Sequence, residues 1–353
     1  MKRLDNAKKE LLFAGGVFPA NPLCLDEHRQ LDEEGQRLLT KYYVASGADG
    51  IAIGVHSTQF EIRLPEHNLL EDVFRITSEV VDSCELDRPF IKIAGIVGST
   101  EQAVSEARLA VEYGYDMGLL SMGGLQNLTE EQILKRTEAV SQVIPVFGFY
   151  LQPSVGGRVF SYDFWAKFVN IDNVIAIKCA SFNRYQTLDV VRAIANSPRR
   201  NDIALYTGND DNIVADLMSI YRFNVNGQER TVEFKGGLLG HWAVWTSKAV
   251  ELLKLVKDFK ANPTYEKWTH LQVLNNQTTD ANAALFDVAH DFHGCIPGIH
   301  EVLHRQGLMK GIWCLNPDET LSEGQSEELT RIQYDYPLLN DDGFVADFLK
   351  QNN

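Results

Sequence analysis

A lysine at the end of an apolar segment is the residue of this chain best suited to covalent chemistry. Lys178 follows residues 174–177, four apolar residues that predict a strand buried on both faces of a parallel sheet. Burial disfavours the charged ammonium, so the pKa of such a lysine falls and its neutral amine can attack a carbonyl group. The alternative is a structural lysine whose ammonium reaches water or pairs with a carboxylate.

A phenol lies at the end of another predicted strand. Residues 145–151 predict this strand, and Tyr150 precedes Lys178 by 28 positions (178 − 150). If the two strands are neighbours, the tyrosine could move the protons needed to form and dehydrate a carbinolamine at the lysine. The alternative is a buried tyrosine that only packs, with its hydroxyl satisfied.

The segments that would position these residues alternate between strand patterns and helix patterns over residues 1–260. Eight strand-then-helix units in a row predict an α/β fold, namely a parallel (β/α)8 TIM barrel. An open, doubly wound sheet is the alternative, but even repeats favour closure. Asn226-Gly227, between two alternating segments, predicts a hairpin before the last strand. The predicted strands are residues 11–18, 50–54, 90–96, 117–122, 145–151, 174–180, 204–207 and 234–239, and the predicted helices between them are 33–46, 69–83, 100–113, 129–142, 163–169, 185–196, 212–221 and 247–259.

Strand patterns stop near residue 260, and helix patterns follow at residues 264–290, 299–306, 322–332 and 342–349. We therefore predict a barrel catalytic domain over residues 1–260. Residues 261–353 are predicted to form a C-terminal helical extension packed on that barrel.

Composition excludes several classes of partner. The formal net charge is −15 and no basic patch is visible, which argues against nucleic acid and anionic membranes as partners. The N-terminus has no secretory signal pattern, and no segment approaches the ~20 apolar residues of a membrane-spanning helix. Five widely spaced cysteines without a CxxC pattern fit reduced thiols, so we expect a cytoplasmic protein.

Two motifs resemble the dihydrodipicolinate synthase/N-acetylneuraminate lyase family of class I aldolases. Pro145-Val-Phe-Gly-Phe-Tyr150-Leu-Gln-Pro153 is similar to the family's P-V-x-x-Y-N-x-P, and Val174-Ile-Ala-Ile-Lys178-Cys-Ala-Ser181 is similar to its I-x-G-I-K-x-x-S. The resemblance is remote and covers about residues 10–310. It implies that Lys178 forms a Schiff base with a 2-oxo acid and that Tyr150 relays protons. It implies no metal or organic cofactor, and a homodimer or homotetramer.

The loop after the second predicted strand is the expected site for the substrate carboxylate. The resembling family has G-T/S-T-G-E there, whereas this chain has Gly54-Val-His-Ser-Thr-Gln59. If this loop carries an insertion relative to the family, Ser57 and Thr58 align with the family's hydroxyl residues. If it does not, His56 aligns with one of them. His56 could instead be a core histidine. Tyr206, at the end of the seventh strand, and His241, after the eighth, are further candidates for substrate binding.

Two departures from the resembling family narrow the expected activity. The synthases carry a tyrosine pair after strand four, where this chain has Ser121-Met-Gly-Gly124. They also carry an arginine two residues after the strand-five proline, where this chain has Val155. Arg158 lies too far along the chain to be assumed equivalent to that arginine. These differences favour a lyase, aldolase or dehydratase acting on pyruvate or a 2-keto-3-deoxy sugar acid. The alternatives are dihydrodipicolinate synthase activity and a barrel that binds a 2-oxo acid without turnover.

A metallopeptidase-like motif competes with this interpretation. His300-Glu301-Val-Leu-His304 matches HExxH, in which two histidines one helical turn apart bind zinc. The alternative is a helix with an apolar face and histidines on its wetter faces. Because the motif falls in the helical extension and no later histidine follows it, we predict no metal site.

Overall fold

The computed structural model describes residues 1–352, which group into two compact units. Unit 1 consists of Met1–Gly16 and Ile91–Leu238, and unit 2 consists of Val17–Phe90 and the chain from Leu239 on. Each unit combines strands with helices. This grouping follows spatial proximity, and the domain boundary near residue 260 stays a prediction.

Within residues 1–352 the structure has nine strands. They are β1 (Val17–Pro19), β2 (Gly50–Ile53), β3 (Ile91–Ile96), β4 (Met117–Ser121), β5 (Val146–Leu151), β6 (Val174–Ala180), β7 (Ala204–Thr207), β8 (Ile220–Val225) and β9 (Gln228–Leu239). The same residues contain thirteen α-helices, several of which begin at a side chain that accepts a hydrogen bond from a backbone N–H of the first turn. They are α1 (Asn6–Ala14), α2 (Glu33–Ala45), α3 (Leu70–Ser83), α4 (Thr100–Glu112), α5 (Glu130–Ser141), α6 (Tyr162–Phe168), α7 (Arg184–Asn196), α8 (Ile213–Met218), α9 (Thr246–Ala261), α10 (Tyr265–Leu285), α11 (Cys295–Arg305), α12 (Gln325–Asp335) and α13 (Asp342–Asn352). None of the helices described here combines the length and the apolar character needed to cross a bilayer.

In unit 1, the parallel strands β3, β4, β5, β6, β7 and β9 lie side by side in that order. Their register aligns Ser121, Phe149, Lys178, Tyr206 and Gly236 in one row across five strands. Because parallel neighbours at one level point to the same face, these residues share one side of the sheet.

The next residues along the strands form a row on the opposite face. Tyr150 pairs with Cys179, and Cys179 pairs with Thr207. The Cys179 thiol donates to the Thr187 hydroxyl of α7 at 3.6 Å, and the Thr207 hydroxyl donates to Asp216 of α8 at 2.7 Å. This second row therefore faces the helices.

The predicted hairpin is confirmed. Strands β8 and β9 pair antiparallel on either side of Asn226 and Gly227. Both turn residues have positive φ, 52° and 80°, as the two-residue turn that matches strand twist requires.

Two predicted elements are wrong in their bounds. Residues 11–14 belong to α1 rather than to a strand, because the Asp5 carboxylate accepts the Lys8 N–H and begins a helix that runs to Ala14. The helix predicted over residues 212–221 ends at Met218, because the residues from Ile220 on pair with β9.

In unit 2, β1 and β2 lie next to each other, and an isolated parallel bridge joins Ala20, directly after β1, to Ala52 of β2. The C-terminal helix α13 packs on α2 through a buried tyrosine. Tyr42 donates to Asp341 at 2.8 Å, and its ring lies 6.0 Å from that of Phe348. Helix α13 is therefore tied to this unit by a hydrogen bond and by ring packing.

Candidate active site

Lys178 lies near the carboxyl end of β6 with only 8% of its surface exposed. Its Nζ is 4.3 Å from the centroid of the Phe149 ring on β5. Burial lowers the pKa of Lys178 to about 8, although the charge of Asp210 opposes the shift. With that pKa, roughly a tenth of the amine is neutral at pH 7, against well under a hundredth for an ordinary lysine. The neutral amine is the form of lysine that can attack a carbonyl group.

Gly208 makes room for the lysine. A Cβ at this position would lie 2.4 Å from Lys178 Cε and 2.9 Å from both Lys178 Cγ and Ala180 Cβ. These distances are shorter than a carbon atom can tolerate, so the observed lysine conformation requires glycine here. Sequence reasoning assigned no role to this residue, although it directly follows β7.

A buried carboxylate fixes the loop after β7. Asp216 is fully buried and accepts hydrogen bonds from Thr207 Oγ1 at 2.7 Å and Asn209 Nδ2 at 2.9 Å. Arg184 of α7 forms an ion pair with the same carboxylate. This network holds the segment that contains Gly208 and Asp210, so the carboxylate that affects Lys178 lies on an ordered loop.

Asp210 is a site residue that the sequence did not reveal. We expect Asp210→Asn to lower the pKa of Lys178, because Asp210 raises it. More of the amine is then neutral at a given pH. Hence the acidic limb of the imine-formation rate should move to lower pH, and the rate at pH 6 should rise severalfold. Borohydride trapping rates from pH 5 to 9 would measure this.

Asp211→Asn is the matched control for that measurement. It removes an equal charge from the next residue, and Asp210 is the charge that acts on Lys178. Equal shifts in the two variants, or no shift in Asp210→Asn, would contradict a specific effect of Asp210.

Tyr150 lies on the helix-facing side of β5. Its ring centroid is 4.8 Å from that of Trp165 in α6 and 5.9 Å from that of Phe160. Its hydroxyl accepts the Phe160 N–H at 3.4 Å, and burial raises the pKa of Tyr150 to about 12. The residue paired with Lys178 is Phe149, so the proton-relay role of Tyr150 stays a prediction.

Tyr206 lies in the same row as Lys178, but its hydroxyl is hydrogen-bonded to the main chain. Its hydroxyl donates to the Leu12 carbonyl at 2.7 Å and accepts the Gly16 N–H at 3.1 Å. Its ring meets that of Phe147 edge to face at 5.4 Å. These contacts favour a structural role over the predicted substrate contact.

The residues where this chain departs from the synthases also have local partners. Arg158 donates to the carbonyls of Leu125 at 3.2 Å and Leu128 at 2.7 Å. The Ser121 hydroxyl accepts the Gly123 N–H at 3.2 Å. Arg158 therefore holds the loop after β4.

The predicted carboxylate loop belongs to unit 2 and forms a short helical turn, His56–Thr58. The Ser57 hydroxyl donates to the Ala20 carbonyl at 2.9 Å, and the Thr58 hydroxyl donates to the Asn21 carbonyl at 2.7 Å. Both hydroxyls thus tie the loop after β2 to the segment after β1. Of the three predicted residues, His56 alone keeps a partly exposed side chain.

His241 is also in unit 2, in the short turn His241–Ala243 directly after β9. Burial lowers its pKa to about 4, despite a hydrogen bond with Asn282. It lines a cavity together with other residues of unit 2, among them Trp245, whose ring centroid is 5.7 Å from its own.

The HExxH segment lies in α11. His300 is fully buried and burial lowers its pKa to about 4, while Glu301 accepts from Arg305 at 2.8 Å. His304 Nδ1 is 3.0 Å from the Met309 carbonyl. Among residues 1–352, no group of three His, Cys, Asp or Glu side chains is placed to hold a metal ion.

The sequence is similar to those of known lyases and synthases. The profile of the dihydrodipicolinate synthetase family matches residues 14–225. N-acetylneuraminate lyase 2 of Escherichia coli O6:H1 is 23% identical, over 90% of this chain and 92% of its own length. A 4-hydroxy-tetrahydrodipicolinate synthase of Protochlamydia amoebophila is 25% identical, over 56% of this chain and 64% of its own length.

Solved structures confirm the predicted fold class. Dihydrodipicolinate synthase from Oceanobacillus iheyensis superposes with a TM-score of 0.71 at 18% identity, over 94% of this chain and 99% of that one. N-acetylneuraminate lyase from Fusobacterium nucleatum gives a TM-score of 0.70 at 16% identity, over 92% and 99%. The fold is a (β/α)8 barrel of eight parallel strands, with further helices at the C-terminus.

Proposed function

The chain belongs to the dihydrodipicolinate synthetase family, and from this premise we propose that it is a class I lyase that joins Lys178 to a 2-oxo acid as a Schiff base. The observation that carries the proposal is the buried amine of Lys178 near the carboxyl end of β6, with its pKa lowered to about 8. Active sites of (β/α)8 barrels lie at this end of the strands. The proposal includes a homodimer or homotetramer.

The reaction begins with the neutral Lys178 amine attacking C2 of the 2-oxo acid. The carbinolamine gains a proton on its oxygen and loses water to give a protonated imine. In the cleavage of a 2-keto-3-deoxy sugar acid, a base takes the proton of the C4 hydroxyl and the C3–C4 bond breaks. C4 leaves as an aldehyde, and the bonding electron pair moves into the imine to give an enamine. In the reverse direction, the enamine formed from pyruvate attacks the aldehyde and forms the bond. Protonation of the enamine and hydrolysis of the imine return the lysine. The imine is itself the electron sink, so no step requires a metal or organic cofactor.

We propose pyruvate or a 2-keto-3-deoxy sugar acid as the 2-oxo acid. The substrate carboxylate would meet the loop His56–Thr58, where His56 has the partly exposed side chain. Dihydrodipicolinate synthase activity is less well supported, because Arg158 is bonded to two backbone carbonyls. The named relatives include both lyases and synthases, so both reactions should be assayed.

Borohydride reduction in the presence of pyruvate tests the proposal directly. The reductant converts the imine to a stable secondary amine, which intact mass and peptide mapping locate. We expect one adduct, on Lys178. If neither pyruvate nor longer 2-oxo acids leave an adduct there, the proposal is wrong.

Tyr150→Phe tests the proton relay. If the hydroxyl transfers protons, imine formation should slow by roughly 10²–10⁴-fold, the usual effect of a positioned acid or base. The ring packing on Trp165 is retained in phenylalanine, so the melting temperature should change little. Single-turnover trapping rates would measure the loss, and a loss below tenfold would leave Tyr150 a packing residue.

A further inference from the structure

The aromatic ring of Phe149 lies beside the amine of Lys178. The two residues are paired in the register of β5 and β6, and Lys178 Nζ lies over the ring, 4.3 Å from its centroid. This distance is well inside the ~6 Å within which the face of an aromatic ring attracts a cation. Phe149 is 3% exposed, so water hardly screens the attraction.

The two strands beside β6 hold the lysine in this position. In the sheet, β6 lies between β5 and β7. Phe149 contacts the lysine from β5, and the missing side chain of Gly208, directly after β7, leaves room for its Cε. Within residues 1–352 the Lys178 ammonium donates no hydrogen bond, and the face of the Phe149 ring is the group that it meets.

Two ionisable side chains from β7 and the loop after it also face this region. The charge of Asp210 favours the ammonium. Tyr206, paired with Lys178 in the register of β6 and β7, has its hydroxyl bound to the Leu12 carbonyl and the Gly16 N–H. A carboxylate in contact with a protonated imine could take its proton. An aromatic ring stabilises the positive charge without being able to accept the proton.

We propose that the face of the Phe149 ring stabilises positive charge on Lys178 Nζ, first in the ammonium and then in the protonated imine with a 2-oxo acid. The role in the imine rests on the proposed function, whereas the role in the ammonium does not. The protonated imine is the species that accepts the bonding electrons when the C–C bond breaks. Phe149 therefore keeps the intermediate in its reactive form.

Fluorinated phenylalanines at position 149 of the full chain test the role in the ammonium. Fluorine withdraws electrons from the ring and weakens the negative potential of its face, with little change of shape. From 4-fluoro- through 3,5-difluoro- to 3,4,5-trifluorophenylalanine, the pKa of Lys178 should fall stepwise, and its proton-dissociation constant should rise about threefold or more over the series. Carbon NMR of lysine labelled at Cε measures the titration, and Lys178→Met assigns the signal.

The equilibrium between the free chain and the imine tests the role in the imine. At pH 9 most of the Lys178 amine is neutral, so imine formation creates a cation, and pyruvate should bind about threefold or more weakly in the trifluoro variant. At pH 6 the amine is already an ammonium, so the charge on Nζ stays the same and the variants should differ little. Rapid quenching with borohydride over a range of pyruvate concentrations measures the imine fraction.

The same fluorinated residues at position 147 are the matched control. Phe147 precedes Phe149 by two residues, so it lies on the same face of β5, and it is fully buried. Its ring meets that of Tyr206 edge to face. Fluorination there should change neither the pKa of Lys178 nor the imine equilibrium. Equal effects at both positions, or a pKa that does not follow the number of fluorines at position 149, would overturn the proposal.

The two measurements separate this proposal from the proposed function. If the unsubstituted chain forms the imine and the trifluoro variant at position 149 binds pyruvate equally well at pH 9, Phe149 has no role in the imine and the proposed function stands. If the unsubstituted chain forms no imine, the proposed function fails together with the role of Phe149 in the imine. The titration of Lys178 then decides the role in the ammonium on its own.

Discussion

Lys178→Met should abolish the reduced pyruvate adduct and lower turnover by roughly 10⁴-fold or more, the scale of losing a covalent nucleophile. Methionine has a similar length, so it can occupy the same space beside Phe149 and Gly208. It has no amine and no buried charge, so the barrel should fold. Intact mass after borohydride treatment and a single-turnover assay measure the two effects, and circular dichroism checks the fold.

A second buried lysine provides the control. Lys92 is 5% exposed, as deeply buried as Lys178, but it is the second residue of β3 and lies next to the strand's amino end. Its backbone N–H donates to Asp116 at 2.9 Å. Peptide mapping should therefore find no adduct on Lys92, and Lys92→Met should keep the adduct on Lys178. An adduct on both lysines would show that burial alone, without position at the carboxyl end of a strand, accounts for the labelling.

The sequence predicted well those features that depend on a single segment. The bounds of β6 and β7 agree with the prediction at every residue. The lowered pKa of Lys178 was likewise foreseeable, since it follows from the burial of that strand. The hairpin at Asn226 and Gly227 depends only on the two residues whose φ is positive.

Features that depend on the register between strands could not be read from one segment. A register shift between Val146 and Phe147 sets which β5 residue lies beside Lys178. Because side chains alternate, a slip of one residue exchanges the two faces of a strand. Phe149, not Tyr150, is consequently the partner of Lys178, and the sequence spacing of Tyr150 and Lys178 contains no information about this.

Contacts between segments that are distant in sequence could not be predicted either, as the first predicted strand and Asp210 show. Residues 11–14 are apolar in a way that suits a strand, but the Asp5 cap makes them helical and places the Leu12 carbonyl where Tyr206 donates to it. Asp210 acts on Lys178 only because the loop after β7 is held by Asp216. Neither the contact of Tyr206 with Leu12 nor the effect of Asp210 on Lys178 produces a recognisable pattern in the sequence around these residues.

Gly208→Ala should nearly eliminate imine formation without unfolding the protein. The new methyl group would lie 2.4 Å from Lys178 Cε and 2.9 Å from Ala180 Cβ, so the lysine must leave its observed conformation. A displaced lysine loses both its ring contact with Phe149 and its alignment with the bound ketone. Because misplacing a reacting group by about 1 Å can cost 10²-fold, we expect the trapping rate to fall by roughly that factor or more.

Gly343→Ala is the matched control for this prediction. A Cβ there meets no atom within 4 Å, so the substitution should leave the trapping rate unchanged. Gly208 has no positive φ, and alanine is therefore acceptable to its backbone; the predicted loss arises from the contacts of the new methyl group with Lys178 and Ala180. If Gly208→Ala folds and traps pyruvate at the wild-type rate, Lys178 does not need its observed conformation to react. A normal adduct with slow turnover would instead assign the effect of Gly208 to the steps after the imine has formed.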